Sequence, residues 1–209
     1  MAPNAAPETP TARAEATRLR IEEAAGRLFR TLGYQKTAVA DIARELGMSP
    51  ANVYRFFPSK SAINEAIAER MLGVLREEIE AIARGPGTAP DRLRRILSVL
   101  FERKLEAFFT ERRLHDMVTA AINEHWGVIE RYLQGVHGAV QRVLEDGMVG
   151  GDFARSDAAA TAHTVMHAMI AWNHPALVES CIAQKGQTPE ELRAQVAAMT
   201  EFVLRALRP

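Results

Sequence analysis

The run from Thr37 to Lys60, TAVADIARELGMSPANVYRFFPSK, admits few folds. Val39, Ile42, Ala43 and Leu46 recur at helical spacing and give one apolar face. Gly47 ends that piece, because glycine tolerates the left-handed conformation that closes a helix. Ser49 is placed to cap a second helix, with Pro50 at its first position, where no backbone N–H is needed. Val53, Phe56 and Phe57 form the inward side of that helix, and Ala51, Asn52 and Arg55 form the outward side. Pro58 ends it, and Ser59 can cap the next. The pattern predicts two short helices, a tight turn between them, and the start of a third.

The rest of the chain is also helical in its periodicity. A first helix is expected from about Thr11 to Gly33, with Ile21, Ala25, Leu28, Phe29 and Leu32 as its apolar stripe. After Ser59 a long helix carries Ile63, Ile67, Leu72, Leu75, Ile79 and Ile82, and ends at RGPGTAP, residues 84–90. Further helices are expected over 91–109, from Thr110 to about Asn123, and from about Glu124 to Asp146. DGMVGGDF reads as a loop. Ser156 is the expected cap of a helix over 157–183 that Pro175 kinks or interrupts. Thr188, Pro189 and Glu191 combine an N-cap, a proline start and a capping-box glutamate for a last helix to about Leu207. No alternating strand pattern of convincing length appears. The expectation is an all-α protein of about nine helices. Residues 1–10 would be a disordered tail, 11–60 a helix-turn-helix domain, and 61–209 a helical domain.

Composition adds bounds. The chain of 209 residues is 47% hydrophobic and 25% charged, enough apolar content for a sizeable core. No run is apolar enough to span a membrane, and the N-terminus lacks a secretory pattern. Cys181 is the sole cysteine, so no internal disulfide can form. A cytoplasmic location is the expectation. Net charge is zero, but residues 1–60 hold 9 Lys and Arg against 6 Asp and Glu, so the N-terminal part is the basic one. A phosphate-binding surface needs local positive charge rather than a basic whole.

A short helix–glycine–helix is more often plain packing than a DNA reader. Here the apolar faces, the turn glycine, the cap and the proline start coincide, and the outward side is short and polar rather than acidic. Such a helix suits the major groove, where Asn pairs with a base edge and Arg with guanine or phosphate.

The run GYQKTAVADIARELGMSPANVYRFFPSKSAI resembles the DNA-binding region of the tetracycline-repressor (TetR) family of bacterial regulators. The matching residues are Gly33, Tyr34, Thr37, Asp41, Ile42, Ala43, Gly47, Ser49, Tyr54, Phe57 and Lys60, within roughly 15–65. Phe56 departs, standing where the family often has a polar aromatic. The resemblance implies that Thr37 caps the second helix and meets a phosphate. Ser49, Ala51, Asn52 and Arg55 would lie on the recognition helix. Tyr54 and Lys60 would contact the DNA backbone. It also implies double-stranded operator DNA and a small-molecule effector as partners, and a homodimer through the last two helices. Ala159, Ala160, Val165, Met166, Met169, Ile170, Val196, Met199, Val203 and Leu204 supply apolar surface, for that dimer or for packing within the monomer, and the sequence does not separate the two uses. The function implied is a ligand-responsive regulator, a repressor released from a palindromic operator.

The second half offers a weaker signal. Phe108, Phe109, Met117, Trp126, Met166 and Trp172 could line an apolar cavity, with His163 and His167 as polar groups, though core packing is the default for each. His163, His167 and His174 follow at steps of four and seven on one side of the expected helix. A four-residue step permits two imidazoles on one metal, with His115 or Asp116 from another helix completing a site. The alternative reading is therefore a metal-dependent helical protein or enzyme using His163 and His167. Against it, no Cys/His cluster, nucleophile–base pattern or phosphate loop occurs, so no catalytic residue, metal or cofactor is assigned.

Overall fold

The computed structural model describes residues 10–110 and 127–209, with side chains from 11–108 and 127–209. Among these residues every regular element is helical. The chain forms two compact units, Met1–Ala68 and Glu69–Pro209, which divide inside the fourth helix. No helix among the described residues is long and apolar enough to cross a membrane.

In the first unit, α1 spans Pro10–Leu32, α2 Val39–Glu45 and α3 Pro50–Tyr54, and α4 begins at Lys60 and runs to Arg84. The core is the set of apolar residues that the periodicity picks out. Ile21, Ala24, Ala25 and Phe29 of α1 meet Ile42 and Ala43 of α2, Val53 of α3, Phe57, and Ile63 of α4, each at most 1% exposed. Gly33 closes α1 with φ +93, and Phe29 packs edge-on against Tyr34 at 5.2 Å. Leu32, expected in the stripe, is 47% exposed because it lies on the last turn.

In the second unit, α5 spans Ala89–Thr110, α6 Gly127–Gly150, α7 Ala158–Ala168, α8 Ile170–Asn173 and α9 Pro175–Glu179. A π-helical turn covers Ser180–Gln184, and α10 covers Pro189–Ala206. One apolar cluster draws on Leu93, Ile96, Leu97, Leu100 and Phe101 of α5, Val136, Val140, Val143 and Leu144 of α6, Met169, and Leu192 of α10. Arg92 is nearly buried and donates to the Ala83 carbonyl at 2.5 Å and to Asp146 at 2.9 Å, so one guanidinium joins the ends of α4 and α6 to α5.

Several local expectations change. DGMVGGDF is not all loop: α6 continues through Gly150, and only Gly151, at φ +80, turns the chain out. Gly147 is the reason. A Cβ there would stand 2.2 Å from the Phe153 ring, so the glycine is a seat for Phe153 inside a helix rather than a breaker. The cap of α7 is Asp157, whose carboxylate accepts from the Ala160 N–H at 3.0 Å, and not Ser156. The expected helix over 157–183 is interrupted at Met169 as well as at His174, before Pro175. His174 is therefore not on one continuous helix with His163 and His167. Thr110 ends α5 rather than being clear of it. The short helix expected to follow, together with His115, Asp116, Met117 and Trp126, lies outside the described residues.

Candidate nucleic-acid interface

The turn between α2 and α3 closes by backbone geometry. Gly47, at φ +64, donates to the Arg44 carbonyl at 3.2 Å, and Met48 N–H reaches the Ala43 carbonyl at 2.8 Å. That pair of bonds is a Schellman closure, which needs a left-handed residue at its centre. Ser49 then caps α3: its Oγ accepts the Asn52 N–H at 3.2 Å, and Pro50 takes the first helical position.

The start of α2 differs from the expectation. Ala38, not Thr37, is the N-cap residue, and the Asp41 carboxylate accepts the Ala38 N–H at 2.9 Å. Thr37 is 2% exposed and donates its hydroxyl inward to the Gly33 carbonyl at 2.8 Å. The threonine therefore closes the end of α1. The glutamate-like function at the third position of a capping box is filled by Asp41.

The second helix is short. It ends at Tyr54, so Arg55 is its C-cap residue, at φ −67 and ψ −26, and Phe56 and Phe57 lie in the turn before Pro58. Both Phe56 and Phe57 donate their N–H to the Val53 carbonyl, at 3.0 and 3.1 Å. The turn is held from α1, where Arg18 donates to the Phe56 carbonyl at 2.5 Å and stacks over the Phe57 ring at 4.1 Å. Phe57 and Val53 are buried, and Phe56 is half-buried.

The outward residues share one edge of this unit. Ser49, Ala51, Tyr54 and Arg55 are exposed, Tyr54 to 50%, and Asn52 is half-buried. Lys60 is half-buried; its ammonium donates to the Tyr34 carbonyl at 2.8 Å and the Gln35 carbonyl at 3.3 Å. Ser59 caps α4 through the Ala62 N–H at 3.0 Å. The arrangement presents a hydroxyl, an amide, a phenol and a guanidinium from one capped turn, donors and acceptors suited to base edges and phosphates.

Of the expected effector residues, the structure describes the side chains of Met166, His163 and His167. Met166 is buried in the apolar cluster, whereas His163 and His167 are exposed on α7. The side chains of Phe109, Met117 and Trp126 lie outside the described residues. Of the expected dimer surface, Val165, Met166, Met169, Val196, Val203 and Leu204 are buried within their own unit. They sit on the inward stripe of each helix. Ala159, Ala160 and Ile170 remain outside, and Phe202, which the sequence pattern did not single out, is 60% exposed.

Sequence reasoning also missed Tyr132 and Asn173 as polar groups with buried atoms, and it singled out His174 only in line with His163 and His167. The Tyr132 hydroxyl, both amide atoms of Asn173 and Nδ1 of His174 are buried without a hydrogen-bond partner among the described residues. Burial pushes the Tyr132 phenol well above its ordinary range and lowers the Lys104 amine to about 8. His137 was missed as well. It stands 4.3 Å from His163 between ring centres, and burial together with the two neighbouring imidazoles lowers its pKa.

Comparison with known proteins agrees with this geometry. Residues 21–67 match a family described as bacterial regulatory proteins, tetR family. Residues 89–195, more than half of the chain, match the tetracyclin repressor-like C-terminal domain. The nucleoid occlusion factor SlmA of Haemophilus influenzae is 33% identical over 70 residues, 34% of this chain and 32% of that protein. The match thus spans about a third of that curated relative's length. Among solved structures, a TetR-family regulator from Pectobacterium atrosepticum superposes with a TM-score of 0.71 at 20% identity, covering 96% of this chain and 98% of its own. The regulator FadR of Bacillus subtilis, in complex with stearoyl-CoA, gives 0.66 at 17% identity, covering 91% and 99%. A TetR/AcrR regulator from Thermobifida fusca gives 0.63 at 22% identity, covering 93% and 100%. At these identities the structures speak for the fold. The two family matches, laid over a capped helix–turn–helix and an all-helical second unit, make the chain a DNA-binding transcriptional regulator of the TetR family.

Proposed function

We propose that this regulator is a repressor that binds a palindromic operator as a homodimer in the cytoplasm and is released by a small molecule. The observation that carries the reading is the capped, outward-facing turn from Ser49 to Arg55, inside the segment that matches the family's DNA-binding part. Asn52 and Arg55 would read bases. Tyr54, Ser49 and Lys60 would position the phosphates, with Ala51 leaving room for close approach. The inward-turned Thr37 would contribute by fixing the entry to α2.

The unit from Glu69 onward would hold the effector. Its support is the set of buried polar atoms on Tyr132, Asn173 and His174 that have no partner among the described residues. Each such atom costs roughly 1–3 kcal/mol, which a ligand with complementary groups would relieve. FadR shows that a protein of this fold accommodates a ligand; its stearoyl-CoA is not carried over to this chain. Dimerisation would use α7 and α10 through the exposed Ala159, Ala160, Ile170 and Phe202. An isologous contact of this kind mirrors operator symmetry. Effector binding would shift the population toward a head spacing that fits DNA poorly, which requires unequal affinity for the two states.

A gel shift with the promoter of its own or a neighbouring gene, against random competitor DNA, tests the reading. Retention that specific competitor removes and random competitor does not is the expected result. Equal competition by both would overturn it.

A further inference from the structure

His137 of α6 and His163 and His167 of α7 come together although 26 and 30 residues separate the first from the others. The His137 and His163 rings meet edge-on, with centres 4.3 Å apart and planes at 78°. The His163 and His167 rings are 6.4 Å apart at 29°. Nothing in the proposed regulatory mechanism uses these three side chains. His163 and His167 are exposed and His137 is half-buried, so all three rings are reachable from solvent.

We infer that His137, His163 and His167 form a three-imidazole binding site for a borderline divalent transition cation of the zinc type, carried by the α6–α7 pair of a single protomer. With metal–nitrogen bonds of about 2.0–2.1 Å, two imidazoles on one tetrahedral ion have ring centres about 5 Å apart. The observed separations, 4.3 and 6.4 Å, lie on either side of that value. Among the described residues no group of three His, Cys, Asp or Glu side chains is placed to hold a metal ion as it stands. Convergence here would take side-chain rotation of the exposed His163 and His167 and the half-buried His137. The backbone supplies the rest. A step of four residues places two imidazoles on one helix face, the spacing that helical zinc sites use. The neighbouring helix fixes the third, since α6 and α7 pack closely along their length.

The donor set defines the ligand class. Three neutral nitrogens without a carboxylate select zinc, copper, nickel or cobalt over magnesium and calcium, which require oxygen. Three protein ligands also leave a coordination position for water or an exchangeable group, the pattern of an open site rather than a closed structural one. The cation would tie α6 to α7 without entering the apolar core.

The full-length protein without a histidine tag, stripped with chelator, should be titrated with Zn2+ and, separately, with Co2+. One ion per chain is expected, with the strong visible absorption of four- or five-coordinate cobalt and a Zn2+-dependent rise in the unfolding midpoint. His137→Gln, His163→Gln and His167→Gln each alter an accessible ring, and each should weaken binding at least tenfold and abolish the rise in midpoint. Far-ultraviolet circular dichroism of the three variants should match wild type. Absence of binding in the wild type, or binding that all three variants retain, overturns the assignment. Loss in the α7 variants but not in His137→Gln overturns the three-imidazole site in favour of a pair. One ion per two chains overturns the single-protomer placement. These readouts are independent of the promoter gel shift, so either result stands without the other.

Discussion

Lys60 reaches back across 26 residues to donate its ammonium to the Tyr34 carbonyl at 2.8 Å, while the same group stands 4.5 Å over the Tyr34 ring. The first residue of α4 thereby holds the loop that enters α2. Lys60→Met keeps the stem but removes the charged donor, leaving two carbonyls to water. The expected cost is roughly 1–2 kcal/mol, toward the lower end for a charged bond because the group is half-buried. Urea unfolding should show a lower midpoint. An unchanged midpoint would mean that the ammonium serves only a partner outside the chain.

The base-reading assignment separates Asn52 and Arg55 from their neighbours. Asn52→Ala leaves the Ser49 cap intact, since that bond uses the Asn52 backbone N–H. It should cost roughly 1–3 kcal/mol and relax preference at one base position, and Arg55→Ala should do the same at another. Titration of operator variants would show it. A uniform loss across all sequences would reassign either residue to phosphate contact.

Gly147 has no room for a methyl group. Its Cβ position meets Phe153 at 2.2 Å and Ala89 at 2.8 Å. Gly147→Ala should destabilise the second unit by about 1–3 kcal/mol through overpacking, although alanine is the better helix former. Thermal or urea unfolding checks the sign. Stabilisation would show that Phe153 moves aside freely.

Lys104 gives a pH signature. Burial lowers its amine from 10.5 to about 8, so between these values the unfolded chain binds the proton and the native one does not. Stability should therefore rise with pH across that window, and the penalty should be fully present below pH 8. Lys104→Met should raise stability at neutral pH and flatten the rise. Unfolding midpoints measured at pH 7, 8, 9 and 10 on both proteins make the comparison. A native protein whose stability falls through the window in parallel with the variant contradicts the assignment.

The elements governed by local chemistry were legible in the sequence. Gly47, Ser49 and Pro50 each have one strong conformational use, and the structure places the turn, the cap and the helix start on them. The same holds for Thr188 with Glu191 at the last helix. Where two neighbours competed for one role, the sequence alone chose the wrong one. Asp157 caps in place of Ser156, and Ala38 with Asp41 opens α2 in place of Thr37. Tertiary contacts decided the remainder. DGMVGGDF looks like a loop until Phe153 is seated on Gly147. The break at Met169 has no proline or glycine to announce it; Met169 is fully buried in the apolar cluster. The contact of His137 with His163 crosses two helices, and no local period encodes it.

The hold of Arg18 on the turn after α3 has a consequence for how operator choice can change. With only Pro50–Tyr54 helical, Arg55 takes its direction from a turn, and Arg18 clasps that turn through the Phe56 carbonyl and the Phe57 ring. A side chain on α1 thus holds the turn that aims the proposed base reader Arg55. Altering residue 18 should rotate the guanidinium at 55 and redraw which sequences are preferred, with every residue of the reading edge left untouched. A hunt for specificity determinants restricted to that edge would overlook the rudder.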